Sequence, residues 1–475
     1  MSISRRIFKN TVVLTSADIF GRLMRFGLAI VIARSLGPAG YGIYAFAFSF
    51  AEVYGVISDF GMSNLIIRDT SREKKYLPRY LGNILLVEAT LSAIAYAFLF
   101  LLVGLMDLPS DTATVVYIAV LSYALTALAV IVRATFKAHE KMEYDAVLSI
   151  VQQGVTVVLG IAVLYLGYGL LALAFAFVIG SSINLIVSLV LVSTKFARPK
   201  FTLKGRFLRY LLKEAPSLGL VVFFTLIYYK VSTLLLSFIQ GDAATGWFNA
   251  AYTMAISLTF LPAAFMGALF PVISTFHASS RELAKIVYHE SFRYMVILGL
   301  PLAFGTTVLA DKVIDIIYGA PFHNSIIVLQ IVIWSIAFVF LNYVLSTTLT
   351  SINLQRVVMY ATGLAVVVNV VLNLIFIPVY SYVGASFVMI ATEVTTFSIC
   401  FYYASRHLCL LHAQRIVLKP LVGSLVMTVV VYYLRPINIF IIFGVAVWVY
   451  FASLIAMKTF TQQDVNVIKG IMGRT

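Results

Sequence analysis

The sequence predicts an all-α, polytopic membrane protein with about fourteen transmembrane helices, and three observations carry that prediction. First, the 475 residues are 61% hydrophobic and 11% charged, with a mean hydropathy of +1.00, far more apolar than a water-facing surface tolerates. Second, apolar runs of about 20 residues, the length that crosses a bilayer, recur from residue 11 to residue 457 and leave no room for a sizeable soluble domain. Third, the connections between those runs alternate between short, nearly uncharged turns and longer basic ones, the pattern of a chain threaded back and forth.

Polar, Gly and Pro punctuation places the spans from near residues 11, 42, 81, 114, 143, 169, 215, 244, 288, 324, 356, 381, 417 and 437. The first has full spanning length and is interrupted by charges, so it reads as a retained helix, not a cleavable signal. Turns such as "SLGPAGYG", "LGYG" and "QGDAATG" form the short set; "RDTSREKKYLPR", "RATFKAHEKMEY", "RELAKIVYHESFR" and both termini belong to the basic set. Of the 34 Lys and Arg, Arg34, Lys312 and Arg435 fall on the short side and Arg22, Arg25 and Lys230 inside spans; the remainder are in the basic set. That bias predicts a plasma-membrane protein with both termini in the cytoplasm. It also accounts for the net charge of +15 without nucleic acid, because the charges sit beside helix ends where anionic headgroups are the nearer partner. In "LKGRFLRYLLKE", residues 203–214, the residues Phe207, Leu208, Leu211 and Leu212 share one helical face, as in a helix lying on the inner surface.

An offset of 204 residues lays "GPAGYGIYAFA" from Gly37 over "GDAATGWFNAA" from Gly241, matching Gly37 with Gly241, Gly42 with Gly246 and Tyr44 with Phe248. The same offset pairs Lys9 with Lys213. Six spans separate the two copies, so the repeat is parallel and predicts two six-helix lobes plus two C-terminal helices. The expected organisation is residues 1–195 as the first lobe, 196–214 as a cytoplasmic basic interfacial linker, 215–405 as the second lobe, and 406–475 as the last two spans and tail. Two lobes facing a cavity suit a transporter that opens to either side in turn.

Charges inside a bilayer are costly and normally face a cavity or a partner. Asp18, Arg22 and Arg25, spaced i, i+4 and i+7, fall on one face at about 100° per residue. Asp18 with Arg22 reads equally as a structural pair or as part of a site, whereas Arg25 has no second acid on its own span and is the better binding residue. The offset aligns Arg25 with Tyr229, next to Lys230, the cation of the seventh span. Arg22, Arg25 and Lys230 therefore form the candidate site for an anionic headgroup, Arg presenting a planar fork suited to phosphate or carboxylate. The in-span acids Asp18, Glu52, Asp59, Glu88 and Glu393 are candidates either for charge pairing or for a proton or sodium site. No P-loop pattern and no nucleophile, base and acid constellation occurs, so the chain reads as a transporter and not an enzyme, with no cofactor. "HLCLLH", with His407, Cys409 and His412, matches no usual zinc spacing, so no metal is expected. Cys400 and Cys409 surround a predicted helix end and argue against a disulfide framework.

"ARSLGPAGYGIYAFAFSF" (Ala33 to Phe50), "SDFGMSNLIIRDTSR" (Ser58 to Arg72), "DIIYGAPFHNSIIVLQI" (Asp315 to Ile331) and "NVVLNLIFIPVYSYVGASF" (Asn369 to Phe387) resemble the polysaccharide transporter family of the multidrug, oligosaccharidyl-lipid and polysaccharide exporter superfamily. The sequence departs from the family pattern at Ser381, where Gly is usual. The resemblance implies a flippase that carries lipid-linked oligosaccharide, a polyprenyl phosphate or diphosphate sugar, from the inner to the outer leaflet, with membrane lipids as its surroundings. It implies that basic residues of the first span bind the phosphate linkage; Arg22 and Arg25 match by span and depth. H+ or Na+ coupling and docking of glycan assembly enzymes on the basic loops remain open, as does an ion-coupled exporter of small drugs or metabolites.

Overall fold

The computed structural model describes residues 3–106, 108–202 and 205–460, with side chains from residue 16 onward except at 57, 212, 216–218, 220, 221, 277, 278 and 413. The Leu203 and Lys204 end of the amphipathic face, the Leu212 side chain, the Lys9 side chain and the C-terminal tail, all used in the sequence reading, lie outside the described residues. Among the described residues the protein is helical, with no strand. In order the helices are α1 (Ile3–Asp59), α2 (Met62–Arg72), α3 (Leu77–Leu105), α4 (Ser110–Ala138), α5 (Met142–Tyr165), α6 (Gly169–Lys195), α7 (Gly205–Gln240), α8 (Asp242–Ser257), α9 (Phe260–Ser279), α10 (Arg281–Ile317), α11 (Ser325–Ser351), α12 (Gln355–His407), α13 (Ala413–Tyr433) and α14 (Ile439–Ala456). Eleven helices among the described residues are long and apolar enough to cross a membrane, and large apolar side chains such as Leu105, Phe440 and Trp448 stay exposed on them. This is a polytopic membrane protein.

The spans differ from the sequence expectation mainly in how they join. The first two form one element, α1, folded at Gly37 (φ 67, ψ −176). The break is local chemistry: Gly37 accepts a positive φ, Pro38 keeps the residue before it out of the helical region, and Pro38 has no N–H to continue the ladder. The eleventh and twelfth spans likewise form α12, folded at Ser381 (φ 51, ψ −136) just after Pro378. Here the departure from Gly has a structural price, since a side chain occupies a backbone region that favours glycine. The eighth span is divided into α8 and α9, and α2 continues the second span as a separate 11-residue helix.

The chain forms two compact units, Met1–Ala250 with Asn373–Tyr382, and Ala251–Leu372 with Val383–Thr475. In the first, α1 packs on α4, α5 and α7, and α6 packs on α4 and α5. Its two hairpin turns cross closely. A Cβ on Gly42 would sit 1.8 Å from the Asp242 carbonyl oxygen, and one on Gly246 would sit 1.9 Å from the Pro38 carbonyl oxygen. Pro38 and Asp242 are also 204 apart, as are Gly42 and Gly246, so each copy of the repeat leaves room for the same point of the other. Such reciprocity is what a two-fold relation between the copies produces, and glycine lets the backbones touch.

Near the basic connections of this unit, Phe207 and Leu211 of α7 are buried with Met62, Leu65, Leu81 and Phe136. The amphipathic face expected to lie on the membrane is thus covered by protein at these two positions. Beside it Arg68 donates to Asp69 at 2.8 Å, to Tyr210 at 3.0 Å and to Glu214 at 3.3 Å, while Tyr210 and Tyr80 donate to Asp69. Burial alone would raise the pKa of Asp69, but these donors outweigh it and hold the carboxyl below its ordinary value. In the second unit α10 packs on α11 and α13, and α13 on α14, around a cluster that includes Ile297, Val431, Ile442, Tyr450 and Leu454.

Candidate functional site

The first arm of α1 carries three charges on one face: two of them meet each other, and the third meets a neutral side chain of another helix. Asp18 and Arg22, one turn apart, form an ion pair at 2.9 Å. Both are substantially open, at 56% and 40% side-chain exposure, so the pair does not bury them. Arg25 is exposed and donates from Nη1 to the Gln153 side-chain oxygen at 2.8 Å. Gln153 reaches this position because residue 21 is glycine: a Cβ there would lie 2.4 Å from the Gln153 Oε1. An amide fixes the guanidinium without cancelling its charge.

Lys230 meets the opposite situation. Its Nζ lies 2.7 Å from Glu52 Oε2, and Tyr123 donates to Glu52 Oε1 at 2.7 Å. Tyr44 and Tyr123 each lie within electrostatic reach of both Arg25 and Glu52, so α1, α4, α5 and α7 bring Arg25, Glu52 and Lys230 into one polar cluster. With the Asp18 and Arg22 pair adjoining along α1, the cluster holds three cations, Arg22, Arg25 and Lys230, against two anions, Asp18 and Glu52. The surplus is one positive charge, and the partners assign it to Arg25.

The remaining acids are placed elsewhere. Asp59 ends α1 and accepts from the Ser63 backbone N–H at 3.0 Å and hydroxyl at 2.9 Å, closing the first turn of α2. Glu88 on α3 is fully buried and has no ion-pair partner among the described residues, with the Ser58 hydroxyl and the Asp59 carboxyl as its polar neighbours. Glu393, in the second unit, is buried and accepts from Asn342 Nδ2 at 2.8 Å.

Gln153, Tyr44 and Tyr123 belong to the cluster and escaped the sequence reading, which weighed only formal charges. The dipeptide Gln152–Gln153 in an otherwise apolar span was the available signal. Gln152, its neighbour, faces a different way, bonding Thr126, Ser181 and Asn184 between α4, α5 and α6.

A family model described as polysaccharide biosynthesis protein matches residues 7–277, and one described as MatE matches residues 217–375. The chain is 23% identical over 389 residues to a probable low-salt glycan biosynthesis flippase, Agl15, of Haloferax volcanii, covering 80% of this chain and 79% of that one. In structure it is similar to the lipid II flippase MurJ in an inward closed conformation, with a TM-score of 0.78 at 16% identity over 94% of this chain and 99% of that one. It is also similar to a transporter of the MOP superfamily from Pyrococcus furiosus whose binding pocket is described as having reverse polarity. There the TM-score is 0.59 at 15% identity, over 86% and 95% of the two chains. The two structures share the fold of this chain, and the family model spans more than half of it, from residue 7 to residue 277: the chain belongs to the polysaccharide biosynthesis protein family.

Proposed function

We propose that this protein is a flippase for lipid-linked oligosaccharide, moving a polyprenyl phosphate or diphosphate sugar from the inner to the outer leaflet by alternating access between two lobes. The observation that carries the reading is Arg25, an exposed cation held in place by a neutral amide inside a cluster with one surplus positive charge. A phosphate linkage needs a fixed guanidinium whose charge is not already cancelled, and Arg25 has the fork and the anchoring. The Haloferax relative's description as a glycan biosynthesis flippase supports the same class. A positive surplus is the opposite of what an exporter of cationic drugs requires. The physical need for a protein is plain, since a charged, sugar-bearing headgroup does not cross hydrocarbon unaided.

In this reading the basic connections and both termini face the cytoplasm of a plasma-membrane protein. Lys230 and Glu52 form a neutral pair beside the headgroup, and Asp18 restrains Arg22. The acid best suited to carry a coupling proton is Glu88, because a fully buried carboxyl with no cation beside it favours the neutral form. Asp18, Glu52, Asp59 and Glu393 already have partners.

The test is reconstitution of the full chain in vesicles with a fluorescent short-chain prenyl diphosphate sugar, following loss of signal to a membrane-impermeant quencher. Arg25→Ala removes a charge-assisted bidentate contact of about 3 kcal/mol, so transport falls roughly 100-fold while the protein stays folded. Wild-type rates from folded Arg25→Ala would end the proposal. Glu88→Gln should abolish the response of transport to an imposed proton gradient; an unchanged response removes Glu88 from the coupling role.

A further inference from the structure

The second unit holds a separate polar cavity of about 530 Å³ at the N-terminal ends of α10 and α13. Lys285 and His289 reach it from one face of α10, while His412 and Arg415 close it from the other side. Its one carboxylate is already engaged: Glu290 is 2.6 Å from Arg293 and 3.2 Å from His289. Lys285 is partly compensated by Glu282 at 2.6 Å. Arg415 has no side-chain hydrogen bond or ion pair among the described residues and is exposed. The cavity therefore presents unspent positive charge at its mouth.

The rest of its lining is apolar. Ile286, Leu411 and Ile416 line it, and Leu410 beside Cys409 is 64% exposed. Ile286 and Leu418 leave further apolar surface on the two helices, at 52% and 61% exposure. A site for a soluble anion has no use for such surface, whereas an amphiphile needs both the cations and the apolar flank. The two helices rise from here as spans, and under the positive-inside pattern this end meets the cytoplasmic headgroup layer, where anionic lipid is in contact with it.

We infer that this cavity is a binding site for the phosphate headgroup of an anionic membrane lipid, held by Arg415 and Lys285 with its acyl chain lying along α10 and α13. The site is made entirely of second-unit residues and does not depend on Arg25 carrying the transported headgroup. Occupancy would brace α10 against α13 and make the state of this unit sensitive to the lipid composition of the inner leaflet.

Cys409 supplies the probe. It lines the cavity and is partly exposed, whereas Cys400 is buried. Burial pushes the Cys409 thiol up and Lys285 opposes this, so the nearby cation and the thiol already sense each other. Purified full-length protein in neutral detergent is alkylated with a maleimide in the presence of short-chain phosphatidic acid, short-chain phosphatidylcholine or inorganic phosphate, with Cys400→Ala as the background. Phosphatidic acid is expected to slow Cys409 labelling at least tenfold, and the other two to leave it unchanged. Arg415→Gln and Lys285→Gln should each lose most of that protection with Tm unchanged, while Arg25→Ala keeps it. That last arm separates this site from the proposed transport site. Equal protection by phosphatidylcholine would show a site for apolar chains, and equal protection by inorganic phosphate a site for soluble anions; either overturns the proposal. So does protection that survives both Arg415→Gln and Lys285→Gln.

Discussion

The first arm of α1 and the middle of α7 each carry a cation, at positions that the 204-residue offset aligns to within one residue, yet their surroundings differ in one decisive respect. Lys230 of α7 faces a carboxylate, Glu52, at 2.7 Å, whereas Arg25 of α1 faces the neutral amide of Gln153 at 2.8 Å. One cation is neutralised and the other is only positioned. The two helices hold comparable positive charges, and the partner in each case determines whether that charge is available to a ligand. Counting cations along spans is thus insufficient; the neighbour's charge state decides how much of each charge is left uncompensated.

Changing that neighbour should have the largest effect. Gln153→Glu gives Arg25 a carboxylate within the same hydrogen bond and should suppress flipping about as strongly as removing Arg25, while raising or preserving Tm. The reverse manipulation, Glu52→Gln, frees Lys230 and should leave transport close to normal; severe loss with Glu52→Gln and none with Gln153→Glu would invert the comparison. Lys230→Ala leaves Glu52 partly buried without its ion partner and should lower stability by roughly 3 kcal/mol, with Glu52→Gln restoring most of it. Thermal denaturation of the single and double variants measures this.

The hairpin crossing tests whether the two copies touch as reciprocal partners. Gly42→Ala and Gly246→Ala each drive a methyl group into a backbone carbonyl, at a cost of about 1–3 kcal/mol. Comparable decreases in Tm for the two support the pseudo-symmetric contact, and a large decrease for only one contradicts it. Ser381→Gly relieves a side chain held at φ 51 and should raise stability by about 1 kcal/mol. The smallest effect concerns Asp69. Its folded pKa is depressed, so its contribution is complete above the ordinary carboxylate range and is lost as pH falls through and below that range. Asp69→Asn should therefore lower Tm at neutral pH and flatten the acid limb of its pH dependence.

Much of the fold was legible because span length, Gly and Pro punctuation and loop charge are local properties of a chain in a membrane. The turn at Gly37 and the in-span charges Arg22, Arg25 and Lys230 could be read directly. Their partners could not, because Gln153 is 128 residues from Arg25 and Lys230 is far from Glu52 along the chain. Neither hydropathy nor periodicity records which of several polar residues will meet across packed helices. The same holds for the cavity that joins Lys285 to Arg415, and for α7, whose Phe207 and Leu211 have the pattern of a lipid-facing surface but pack on α2 and α3. An amphipathic helix buries its apolar face against whichever apolar surface is nearest, and the sequence leaves lipid and protein indistinguishable.

The most direct test of the central claim is the affinity of the purified protein for a short-chain prenyl diphosphate, compared with the uncharged prenol, in wild type, Arg25→Gln and Lys230→Gln. If Arg25 holds the available charge, the wild type prefers the diphosphate, Arg25→Gln loses that preference roughly 100-fold, and Lys230→Gln changes it little. An unaltered preference in Arg25→Gln, or a loss confined to Lys230→Gln, would contradict the account.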